Sequence, residues 1–135
     1  MEDDLLPINL EGRLTDTSNA RAVVYLPHPL TFALMKLFAF RDRVNDENKE
    51  YGSYHALDIY GIIATMSEME WNRALELRKI HQTNEQIKEA GRIADQYFAS
   101  VSRLGMVRMR ESSYCNDRLQ LEEFCSAILE LFPIC

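Results

Sequence analysis

Leu30 to Arg43 reads LTFALMKLFAFRDR, and its apolar residues surround nearly the whole helical circumference, which predicts a central, buried helix. Pro27 and Pro29 end whatever precedes it. A charged loop is expected from Asp42 to Ser53, and after Gly52 and Ser53 the run YHALDIYGIIATM, Tyr54 to Met66, predicts a second largely buried helix with Gly61 as a close-packing point. Ser67-x-x-Glu70 is a capping box opening a third helix to about His81, and Thr83-x-x-Gln86 repeats the device for a fourth, ending near Ser100 with Ile87, Ile93, Ala94, Tyr97 and Phe98 inward. A link from Val101 to Tyr114 comes next. Asn116 as N-cap and Pro133 as stop frame a last helix, Asp117 to Phe132, whose stripe of Leu121, Phe124, Cys125, Ile128 and Phe132 needs a covering surface.

Upstream, Pro7 to Leu14 and Arg21 to Leu26 flank the polar turn Thr15 to Asn19 and predict a hairpin or two edge strands. Such a pair is marginal alone and must pack on the helices or on a sheet from another chain. The expected fold is mainly α, about five helices in a bundle with a short N-terminal β hairpin or strand pair. At 135 residues the chain makes one domain, 1–135, with a β element and mobile N-terminus over 1–26 and a helical bundle over 27–135.

With 15 lysines and arginines against 21 acids, the net charge of −6 argues against a nucleic-acid-coating surface. Acids dominate both ends, and between residues 16 and 111 bases slightly outnumber them, so an electropositive site must lie there. Cys115, Cys125 and Cys135 are an odd, widely spaced set and no basic-then-apolar leader follows Met1, which predicts a reduced cytoplasmic protein. Pro29 to Phe40 is interrupted by Lys36 and falls far short of the roughly 20 apolar residues of a membrane span, so no membrane association is expected.

Two charges sit in apolar surroundings. Lys36 in FALMKLFAF must snorkel, pair with an acid or face a cavity, and Asp58 in HALDIYGII faces the same demand. Antiparallel packing of their helices could bring them together. One reading is a buried structural salt bridge; the other is an anion site in which Lys36 contacts phosphate and Asp58 orients it or assists the chemistry. Arg41, Asp42 and Arg43 suit a helix C-terminus, while Arg43, two turns from Lys36, could address the same polyanion. His55 precedes Asp58 by three residues, which suits a His–Asp hydrogen bond or a general base. His28, His55 and His81 are scattered and the cysteines lack C-x-x-C spacing, so no metal site is expected; Gly-rich phosphate loops and G-x-S-x-G or H-E-x-x-H motifs are absent.

The stretches PHPLTFALMKLFAFRDR and KEYGSYHALDIYGIIATMSEMEW resemble the C-terminal half of bacterial nucleotidyltransferase-like proteins related to the AbiEii toxins, in the DNA polymerase β superfamily. The likeness spans roughly residues 7 to 80. Its pattern K-L-x-A-x-x-x-R matches Lys36, Leu37, Ala39 and Arg43, and D-x-x-D-L-Y matches Asp58, Ile59 and Tyr60, with His55 in place of the first acid. The resemblance implies that Lys36 contacts a nucleotide triphosphate and Asp58 supports an active site, with Mg and an NTP as cofactors. The family's Gly-Ser or Gly-Gly helix start and Asp-x-Asp strand have no counterpart, since Glu2, Asp3, Asp4, Glu11 and Asp16 form no such motif. Phosphoryl transfer needs carboxylate-held metal ions, so no cofactor and no activity are expected of this chain alone. The expected function is a non-catalytic relic or subunit completed by a separate nucleotidyltransferase-core chain; the alternative is a helical homodimerisation or interaction module with no nucleotide function.

Overall fold

The structure is a computed structural model that describes residues 27–134 down to their side chains. The strand pair expected within residues 7–26 lies outside these described residues. Six helices dominate: α1 (Pro29–Arg43), α2 (Lys49–Ala64), α3 (Glu68–Ile80), α4 (Glu85–Phe98), α5 (Leu104–Glu111) and α6 (Leu121–Leu131). The chain is mainly α, as its periodicity predicts.

Local chemistry sets most of the boundaries. His28 caps α1, its Nδ1 accepting the Leu30 amide at 3.1 Å, with Pro29 in the first turn where a missing N–H costs nothing. Ser67 accepts the Glu70 amide at 3.1 Å and opens α3. Asn48 caps α2 by accepting the Glu50 amide at 3.1 Å, so α2 begins at Lys49 rather than after Ser53 and the charged loop shrinks to 44–48. Asn84, not Thr83, caps α4, accepting from Gln86 at 2.8 Å and Ile87 at 3.4 Å; the planar amide of Asn is the stronger cap where the two compete. Asn116 caps only a turn, through the Arg118 amide at 2.9 Å, and α6 starts at Leu121.

Helix α5 lies inside the stretch expected to be a link. Its eight residues, LGMVRMRE, are too few and too mixed to announce a helix, and packing decides the matter. Gly105 makes that packing possible: a Cβ there would lie 2.5 Å from the Phe98 ring and from the Tyr97 carbonyl oxygen. Gly91 plays the same part for α4, where a Cβ would lie 2.5 Å from the Pro133 carbonyl oxygen. Gly61, the expected close-packing point, meets nothing within 4 Å.

The core is threaded by rings. Phe40 of α1 contacts Tyr97 and Phe98 of α4 at centroid distances of 5.3 and 5.0 Å; Phe98 meets Phe124 of α6 edge-on at 6.0 Å, and Phe124 meets Tyr60 of α2 at 5.3 Å. Each such pair adds about 0.5–1.5 kcal/mol beyond area burial. Leu30, Ala33, Leu34, Leu37 and Phe40 are buried on α1, and Gly52, Ser53, Ala56, Ile59 and Ile63 on α2. Of the stripe expected on α6, Phe124, Cys125, Ile128 and Phe132 are buried, Phe132 at the C-cap, while Leu121 is only partly covered and Leu131 joins the buried set. Yet α1 is not buried all round: Phe32 and Met35 are 37% and 59% exposed. No helix among the described residues is long and apolar enough to cross a membrane.

Candidate functional site

Helices α1 and α2 form the largest helix–helix contact, joined by the short 44–48 loop that sends the chain back antiparallel. Lys36 Nζ donates to Asp58 Oδ2 at 2.8 Å, and the Arg43 guanidinium lies 5.7 Å from the Tyr51 ring centroid, so 36 stands opposite 58 and 43 opposite 51. The same register sets Ala39 level with His55 and Phe32 level with Ile62. His55 accordingly feels Lys36, Asp58 and Arg43 together. All four residues singled out in the sequence, Lys36, Arg43, His55 and Asp58, thus share one seam.

The seam is open to solvent. The side chains of Lys36 and Asp58 are 36% and 49% exposed, so the ion pair forms but the burial expected from its apolar neighbours does not. Lys36 extends past those neighbours while its stem covers them, as long amphipathic side chains do. An exposed pair of this kind contributes about 0–1 kcal/mol. Arg43 donates to Asp46 at 3.1 Å. Arg41 turns away, bonding Asp42 at 3.2 Å and Glu89 at 3.3 Å and stacking on Phe38 at 4.7 Å, which ties α1 to α4.

His55 does not take the expected bond to Asp58. Its Nδ1 is buried with no hydrogen-bond partner among the described residues. Burial holds its pKa below the ordinary 6.5, Lys36 lowers it further, Asp58 opposes and Arg43 adds to the lowering. Neutral at pH 7, the imidazole brings no positive charge to the seam. Lys36 and Arg43, the two cations, each already hold a carboxylate, so their charge is partly offset before any anion arrives.

A magnesium-nucleotide centre does not fit these residues. Asp58 is committed to Lys36, and no group of three or more His, Cys, Asp or Glu among the described residues is placed to hold a metal. His28 is engaged as the α1 cap and His81 ends α3. Cys125 is buried in the core, which pushes its thiol pKa up.

Three features of the site carried no sequence signal. Tyr51 lay in the expected loop, and the exposure of Phe32 and Met35 cannot be told from an apolar run. Two hollows of about 250 Å³ lie elsewhere, one between α2 and α6 under Tyr60 and Phe124, the other between the start of α2 and the end of α5 beside Ser53, Tyr54 and Ser112. Neither is lined by a residue of the seam. Comparison with protein-family models, with curated proteins and with solved structures returned no match to this chain.

Proposed function

We propose that this chain is a non-catalytic relic or subunit of a nucleotidyltransferase-like protein of the AbiEii-related kind, working in the bacterial cytoplasm through the α1–α2 seam, with the metal-binding catalytic half supplied by a separate chain. The observation that carries this reading is convergence: Lys36, Arg43 and Asp58, positions at which the sequence resembles that family, meet on one open face with His55, which stands in place of the family's first acid, beside exposed Phe32 and Met35. Exposed apolar side chains rimmed by polar ones are the character of a surface that a partner covers.

A second reading, a helical homodimerisation or interaction module with no nucleotide function, is favoured by one specific feature. Both cations of the seam hold carboxylates of their own chain, which leaves the face close to neutral and poorly suited to an incoming polyanion.

The separating experiment is a thermal-shift series with ATP, CTP, GTP and UTP, with and without magnesium, at several protein concentrations. A ligand that binds only the folded state raises the melting temperature by mass action. A shift with one nucleotide that is lost in Lys36→Met supports the nucleotide-linked subunit. No shift with any nucleotide, together with a melting temperature that climbs with protein concentration, supports the module and removes the nucleotide link.

A further inference from the structure

The seam is complementary to itself in both charge and register. Lys36 and Asp58 stand side by side at one level, on neighbouring antiparallel helices, each half open to solvent. Consider a two-fold axis parallel to these helices and lying in the plane of the exposed face. Rotation about it leaves every level unchanged and places α1 of one copy over α2 of the other. Lys36 then faces Asp58 of the second copy, and Asp58 faces Lys36 of the second copy, closing a square of alternating charge. At the level below, Phe32 faces Ile62 of the second copy; at the levels above, Ala39 faces His55 and Arg43 faces Tyr51. The two ends also match: large apolar residues meet at one, and an arginine meets an aromatic ring at the other, a pairing already made within one chain at 5.7 Å. Each pair of facing helices is antiparallel, the arrangement of a four-helix bundle.

We propose that two copies of this chain associate through the α1–α2 seam as an isologous dimer, with Lys36 of each copy bonded to Asp58 of the other around a core that includes Phe32, Met35 and Ile62. This rests on the interaction-module reading and names its partner as a second copy. In an isologous contact each surface residue serves twice, so a face bearing one cation and one anion at the same level satisfies both copies without a third charge. The exposure of Phe32 and Met35, at 37% and 59%, is then the apolar surface the dimer removes from water.

The test uses two charge-reversed forms of the whole chain. Lys36→Asp carries two acids on the seam and Asp58→Lys carries two bases, so each repels its own copy and attracts the other form. Sedimentation velocity over a concentration series is expected to show wild type dimerising, each variant alone weakened by about tenfold or more, and a 1:1 mixture restored to wild-type association. Far-UV circular dichroism confirms that both fold, as expected for substitutions at half-exposed positions. A wild type that dimerises with variants equally strong would overturn this face while leaving the module reading in place. A mixture no stronger than its components overturns the proposal too. A wild type monomeric throughout overturns the proposal and the homodimer reading together.

Discussion

The two sides of α1 are built from similar residues and meet different surroundings. On the side facing α4, Leu37 and Phe40 are fully buried, and the Phe40 ring lies between Tyr97 and Phe98. On the other side Phe32, Met35 and Lys36 sit at the same helical spacing and are open to water. Apolar character alone therefore does not say where a residue ends up. What differs is the supply of covering elements: α4 and α2 take up one part of the circumference, and no described helix closes over the seam.

This contrast can be attacked at several points. The largest effect is expected from Phe40→Ala, which empties the centre of the ring cluster and should cost about 3–5 kcal/mol, against less than about 0.5 kcal/mol for Met35→Ala on the open side at protein concentrations low enough to keep the chain monomeric. Chemical denaturation measures both, and equal losses would erase the distinction between the two sides. Next comes Gly105→Ala: its Cβ would collide with Phe98 and the Tyr97 carbonyl, an overpacking cost of about 1–3 kcal/mol. Gly61→Ala, which meets nothing, should be neutral or gain up to about 1 kcal/mol of helix propensity. A tolerated Gly105→Ala would show that α5 is not held tightly against α4.

Lys36→Met should cost less than about 1 kcal/mol at low protein concentration, because the Asp58 it leaves behind is still hydrated. A loss of about 3–5 kcal/mol, the signature of a stranded buried charge, would mean that the seam is closed in solution. The smallest effect concerns His55. Its folded-state pKa lies below 6.5, so on acidification the unfolded chain takes up the proton first. The stability tied to neutral His55 is complete above about pH 6.5 and is lost as the pH falls through that value toward the lowered one. The drop in melting temperature between about pH 7.5 and pH 5.5 should shrink in His55→Gln. An unchanged drop would place the imidazole in water and away from Lys36 and Arg43.

Much of this was legible before any fold was known. The helical class came from the 3.6-residue recurrence of apolar residues, and the ends marked by Ser67 and Pro29 from side-chain and ring chemistry that acts within one turn. The pairing of Lys36 with Asp58 could be anticipated because two charges in apolar runs on consecutive helices have few other partners. The errors share one cause. Thr83 and Asn84 compete for the same amides within two residues, so local chemistry alone does not choose between them. The eight residues of α5 are too short for periodicity, and Gly105 looks like a breaker until Phe98 is seen pressed against it.

What the sequence determined by itself is what local interactions control: the longer helices, the Ser67 cap, and which residues carry charge. Tertiary structure alone decided which side of α1 is covered, which glycines are close contacts, and that Lys36, Arg43, His55 and Asp58 share one open seam. The reason is physical. Caps and periodicity are satisfied within a turn or two of chain, whereas exposure depends on which distant helix arrives, and that is set by the packing of the whole bundle.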